Sequence, residues 1–183
     1  MSTLGDKTYF LTSKRLSFRD WRKEDLPLAL TLWGDPAVTA LIGGPFSVQQ
    51  AHTRLQREIE SNAMSGLQYW PMFLTGTNAF VGCCGLRPYR PHDGVLELGF
   101  HLIPSHWGQG LASEAAHATV RHAFNVLGAA ALFAGHHPEN HASEHLLRRI
   151  GFQYTHRELY QPTGLEHPSY MLRPSDYIPE GNA

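Results

Sequence analysis

Polar and apolar positions alternate along Arg15-Leu-Ser-Phe-Arg19, the period of a half-buried strand. Over residues 24–33 the period lengthens, with Leu26, Leu30 and Trp33 at helical spacing and Gly34-Asp35-Pro36 ending the run. A second helix is predicted from Ser47, where Ser47-Val-Gln-Gln50 has capping-box form, to about residue 61. Residues 69–75 and 80–86 are strand-like runs joined by Gly76-Thr77-Asn78-Ala79. Residues 95–103 form a further strand, with Val95, Glu97, Gly99, His101 and Ile103 on one face and Leu96, Leu98, Phe100 and Leu102 on the other. Glu97 therefore points away from the leucines.

Residues 109–127 are rich in alanine and contain no internal proline, which predicts a long helix closed by Gly128. A short buried strand over 131–135, a helix over 140–150 ended by Gly151, and two strands near 152–159 and 168–172 complete the chain. The order β, αα, βββ, α, β, α, ββ predicts an α/β (α+β) fold, a mixed central sheet of about six to seven strands flanked by about four helices.

The 183 residues suit one domain over 1–183, with a core at about 12–177, and no repeat or linker interrupts them. A net charge of −1, from 15 Lys and Arg against 16 Asp and Glu, gives no electrostatic drive toward nucleic acid or an anionic membrane. The apolar runs fall short of the roughly 20 residues that span a bilayer. Met1-Ser-Thr-Leu-Gly-Asp-Lys7 lacks the basic and apolar regions of a secretory signal, so a cytoplasmic location is expected. The adjacent Cys83 and Cys84 would point to opposite strand faces as small apolar residues in a reduced compartment. The sequence does not fix an oligomeric state; a homodimer is compatible with it.

The turn Trp107-Gly-Gln-Gly-Leu-Ala-Ser113 stands between a strand and the alanine-rich helix. The first N–H groups of a helix lack internal partners and carry partial positive charge, and glycines let an anion come close. The turn lacks the Gly-Lys-Ser/Thr of a P-loop. It also has Ser113 where a dinucleotide fingerprint needs a third glycine or alanine, and lacks the later acid. Taken alone, the two glycines could merely shape the turn.

Three segments in order, Glu97-Leu-Gly-Phe-His-Leu-Ile-Pro104, Trp107-Gly-Gln-Gly-Leu-Ala-Ser-Glu-Ala115 and Asn140-His-Ala-Ser-Glu-His-Leu-Leu-Arg-Arg-Ile-Gly-Phe152, resemble the GNAT superfamily of N-acyltransferases. Within it they resemble the ribosomal-protein N-terminal acetyltransferases of the RimJ/RimL type. Arg15-Leu-Ser-Phe-Arg-Asp-Trp21 and Leu172-Arg-Pro-Ser-Asp-Tyr177 resemble that branch's usual beginning and end.

The resemblance implies acetyl-CoA as acyl donor. Its pyrophosphate would lie on the amides of Gly108, Gln109, Gly110, Leu111, Ala112 and Ser113, beside Trp107, and its pantetheine along Leu102 and Ile103. Asn140 and Ser143 would meet it from the next helix. A backbone N–H near Leu102, freed by a bulge or splay, would stabilise the oxyanion. Trp107 replaces the superfamily's common Arg or Gln, a substitution familiar in this branch. The superfamily's frequent tyrosine, which protonates the departing thiolate, is Leu147 here, and Ser143 is the nearest polar substitute.

Acetyl transfer to an amine needs a neutral amine, a polarised carbonyl and a proton for the leaving thiolate. Glu97, an acid on an otherwise apolar strand, is the candidate base, directly or through water. His101 shares its face and is read as lining the cleft. No activated nucleophile is evident, which favours direct attack in a ternary complex. At pH 7 an α-amine of pKa about 8 costs about 1.4 kcal/mol to present neutral, against about 4.6 kcal/mol for a lysine near 10.4. The expected acceptor is therefore a protein or peptide N-terminal α-amine or a small-molecule amine. A non-catalytic acyl-CoA-binding module on the same fold is the alternative. His141 and His145 have metal-like i,i+4 spacing, but nothing completes a ligand set, so no metal is expected.

Overall fold

The computed structural model describes residues 9–180, and the reading of Met1–Lys7 as lacking a secretory signal lies outside them. The chain enters through two short strands, β1 (Leu11–Thr12) and β2 (Leu16–Phe18). Three helices follow: α1 (Leu26–Trp33), α2 (Pro36–Thr39) and α3 (Val48–Ser65). An antiparallel run comes next, β3 (Tyr69–Leu74), β4 (Phe80–Arg90) and β5 (Val95–Leu102). The chain then passes through α4 (Leu111–Asn125), β6 (Ala131–Gly135), α5 (His141–Ile150), β7 (Gln153–Tyr160) and β8 (Leu165–Leu172).

All strands join one sheet in the order β1-β2-β3-β4-β5-β6-β8-β7. Every pairing is antiparallel except β5 with β6, which the α4 crossover makes parallel. The mixed α/β fold is as expected, but with eight strands and five α-helices among the described residues. Two of the additions are too short to show a period: β1 has two residues and α2 has four. β4 also runs to Arg90, past the expected end at residue 86, because its last residues pair with β5 as far as Val95.

The predicted start of α3 is present in full. Ser47 accepts from the Gln50 amide and the Gln50 side chain accepts from the Ser47 amide, so two orphan donors are satisfied. Two apolar layers enclose the sheet. Trp70, Cys84, Leu98 and Leu102 pack with Ala115, Ala118 and Val120 of α4 and with Leu147 and Ile150 of α5. Tyr69 and Cys83 pack on the opposite face with Trp33 of α1 and Leu55 of α3. The adjacent cysteines thus face opposite layers, both buried and unbridged. No helix among the described residues is long and apolar enough to cross a membrane.

Candidate active site

β5 stays in register with β4 as far as Leu102, but its register with β6 ends at Glu97, opposite Phe133. Past that point the two parallel strands part. The Ile103 amide donates to the Val81 carbonyl at 3.0 Å, on the β4 side. By alternation, the N–H groups of Phe100 and Leu102 face the edge that β6 has left, with no strand paired to them. On that edge the Leu102 carbonyl accepts from the Trp107 indole Nε1 at 2.7 Å.

At the outer end of this seam α4 begins at Gly110, with φ 73° and no side-chain cap. Gly108 has φ 72°. A non-glycine residue at such angles costs about 1–2 kcal/mol. The helix therefore opens with unclaimed N–H groups facing a cavity of about 510 Å³. Trp107, Gly108, Gly110, Leu111, Ala112 and Ser113 line that cavity with Leu102. Gln109 does not; its side chain donates to the Ser105 carbonyl at 2.9 Å. Ile103 packs in the layer beneath α1 and α3 and does not line this cavity. Arg149, an exposed cation, also lines this cavity.

Glu114 places an acid in the first turn of α4, where its charge would compete with any other anion at the helix start. Its charge is spoken for. Glu114 Oε1 accepts from Ser13 Oγ at 2.7 Å and from the Arg15 amide at 2.6 Å, and Oε2 accepts from Arg15 Nε at 2.6 Å. Arg15 also donates to the Gln109 carbonyl at 3.0 Å, so the residue just before β2 holds both the turn and the helix start. Burial works against the carboxylate, but these hydrogen bonds hold it below the usual carboxylate range. Sequence reasoning missed Arg15 and Ser13 as its partners; the acid in the first turn is the signal that could have found them.

A second cavity, of about 390 Å³, opens on the other side of the same seam. Leu41, Ile42, Phe100, His101, Asn140 and Ser143 line both, so the two communicate through these residues. Asn140 caps α5 by accepting from the Ser143 amide at 3.1 Å, which sets both side chains at the junction. Glu97 lies in the wall of the second cavity, accepting from Tyr69 Oη at 3.1 Å. Burial raises its carboxyl above the ordinary value, while Arg87 and the Tyr69 hydrogen bond pull it back. Leu147, where the family tyrosine would stand, is buried against the same cavity.

Beneath Glu97 runs a network that the local sequence conceals. Glu58 of α3 is fully buried and accepts from Arg54, Arg87 and the Tyr69 amide. The Arg87 guanidinium lies 4.0 Å from the centre of the Tyr69 ring. Arg54 and Glu58 have the spacing of a solvated helix pair, yet both side chains are largely buried and Glu58 is also held by Arg87, 29 residues further along the chain. Cys83 and Cys84 line neither cavity. Burial pushes the Cys83 thiol up and the Cys84 thiol to about 12, so neither is a ready nucleophile.

Residues 15–153 match the model of the acetyltransferase (GNAT) domain. The chain is 30% identical over 145 residues to a protein of Bacillus licheniformis named Uncharacterized N-acetyltransferase p20, covering 78% of this chain and 82% of that one. It is also 30% identical over 174 residues to the FsC-acetyl coenzyme A-N(2)-transacetylase of Aspergillus fumigatus, covering 85% and 72%. Among solved structures it resembles a GNAT acetyltransferase of Bacillus anthracis at TM-score 0.77 and 21% identity, over 89% of this chain and 97% of that one. It likewise resembles RimL, a ribosomal L7/L12 α-N-protein acetyltransferase in complex with coenzyme A, at TM-score 0.76 and 19% identity, over 91% and 98%. With a parted parallel strand pair leading from an uncapped helix start to a half-buried carboxyl, and a family model spanning most of its length, the chain belongs to the GNAT family of acetyl-CoA-dependent acetyltransferases.

Proposed function

We propose that this protein moves the acetyl group of acetyl-CoA to a primary amine by direct attack within a ternary complex. The carrying observation is the seam between β5 and β6, which joins the uncapped start of α4 to the cavity walled by Glu97. The amides from Gly108 to Ser113 hold the pyrophosphate, and the thioester arm follows Leu102 inward. The acceptor fills the smaller cavity with its amine toward Glu97. Glu97 takes a proton from the ammonium form, directly or through water, and leaves a neutral amine. Its nitrogen then bonds to the thioester carbon, the C–S bond breaks, and the excess proton left on that nitrogen passes to the departing thiolate through the Ser143 hydroxyl, which takes one proton as it gives another. An N–H of Phe100 or Leu102 carries the oxyanion. The raised Glu97 carboxyl suits a base working near neutral pH.

The three motifs and the likeness to RimL, which acts on a protein α-amine, support an α-amine acceptor and the RimJ/RimL-type branch. The FsC-acetyl coenzyme A-N(2)-transacetylase acts on an N(2) nitrogen, which supports a nitrogen acceptor by the same chemistry. The test is turnover of isotope-labelled acetyl-CoA against peptides with free N-termini, blocked peptides carrying lysine, amino acids and diamines. Transfer to α-amines ahead of blocked lysine peptides is the expected result. Tight acetyl-CoA binding with transfer to none of them would leave a binding module instead.

A further inference from the structure

His101 lies on the Glu97 face of β5 and lines both cavities, at the junction where donor and acceptor must meet. Its Nδ1 faces the indole Nε1 of Trp33 at 3.2 Å and the Sγ of Cys83 at 3.8 Å. An indole N–H can only donate. Nδ1 must therefore carry a lone pair, and the proton of the neutral ring sits on Nε2. Protonating the ring would break the Trp33 bond and set a cation in a buried site that already faces Arg54 and Arg87. Burial and these guanidinium groups lower the His101 pKa to about 3.

Nε2 has no hydrogen-bond partner among the described residues. The only fully buried, unpaired side-chain nitrogen or oxygen among them is His52 Nδ1, so His101 Nε2 remains reachable from the cavity space. Here one nitrogen is fixed from behind and the other is presented to the ligand space as a donor of known direction.

We propose that the Nε2–H of His101 donates a hydrogen bond to a carbonyl oxygen brought into the junction of the two cavities. Trp33 acts as the positioning residue that fixes the tautomer. Resting on the acetyltransferase reading, that oxygen belongs either to the thioester or to a carbonyl beside the acceptor amine.

Two substitutions separate the donor from the bulk of the ring. His101→Phe keeps the ring and loses the donor. His101→Gln keeps a terminal N–H near the position of Nε2 and an oxygen that can accept from Trp33. The expected result is a fall of about tenfold or more in kcat/KM for Phe, with Gln recovering most of it at unchanged Tm. A fall in kcat at saturating acetyl-CoA and acceptor assigns the oxygen to the thioester. A rise in acceptor KM alone assigns it to the acceptor.

Long-range ¹H–¹⁵N NMR of the ligand-free protein gives a readout independent of turnover. It should show the His101 proton on Nε2 from pH 5 to 8, with that resonance moving on addition of acetyl-CoA or acceptor. A proton on Nδ1, an inflection within that range, or a Phe variant within twofold of the parent overturns the proposal. Absence of transfer by the parent itself would overturn the acetyltransferase reading and leave the tautomer result standing.

Discussion

The phenol of Tyr69 donates to the carboxylate of Glu97 at 3.1 Å, and the same ring rests against the backbone of Gly99. Tyr69 is thus buried core and site wall at once. Its own hydroxyl is driven well above the ordinary tyrosine range, first by burial and then by Glu97, so it stays a donor at any working pH. The carboxyl beside it is buried enough to hold a proton more readily than a free one and tethered enough to keep one orientation.

Glu97→Gln should lower turnover about tenfold or more while leaving acetyl-CoA affinity unchanged, because the amide fills the same space without accepting a proton. Steady-state kinetics beside calorimetry with acetyl-CoA checks this. Unaltered turnover would remove Glu97 from the mechanism.

Tyr69→Phe removes a hydrogen bond to the charged form of Glu97, so the carboxyl should rise further. The base works only when deprotonated, so the acid limb of kcat/KM should move to higher pH. A limb that stays in place would show that Glu97 does not set it.

Gly99→Ala places a Cβ inside the present position of the Tyr69 ring. Tyr69 must give way, and its hydroxyl leaves Glu97. Activity should fall by more than the loss of stability explains, as read from kcat/KM beside a denaturation curve of the same variant.

Gly110→Ala meets no crowding, the nearest atom being Arg15 Nη2 at 3.6 Å, but it keeps the strained left-handed angle. A stability loss of about 1–2 kcal/mol is expected, with weaker acetyl-CoA binding as the helix start relaxes. An unchanged dissociation constant would detach this turn from the cofactor.

Glu114→Gln should cost about 1–3 kcal/mol at pH 7 by depriving Arg15 and Ser13 of a charged acceptor. The folded carboxyl lies below its unfolded value, so its contribution is complete above about pH 4.3 and fades as pH falls through the folded value. Melting curves of parent and variant should therefore converge in acid.

The order of elements, the α3 cap and the alternation along β5 could be read from the chain, because each depends on residues at most a few positions apart. The same holds for the turn around Gly108 and Gly110, whose glycines and place before a helix announce a positive-φ, uncapped start. Distant convergence could not be read. Glu58 looks like one half of a surface ion pair with Arg54, and only β4 swinging Arg87 across shows it to be buried. Tyr69 is likewise an ordinary strand aromatic until β5 brings Glu97 beneath its hydroxyl. Trp33 reads as the last apolar position of a helix, and its hold on His101 spans 68 residues.

The parting of β5 from β6 also divides the molecule mechanically. Within the sheet, the five strands before it and the three after it are joined by the short register from Val95 to Glu97 and by the Ala130 amide on the Gly94 carbonyl, with α4 as the chain between them. A thioester wedged into that opening would bridge two halves that the backbone leaves loosely laced. Occupancy and resistance to unfolding then become one property, since a guest that binds only the folded form adds RT ln(1 + [L]/Kd) to its stability.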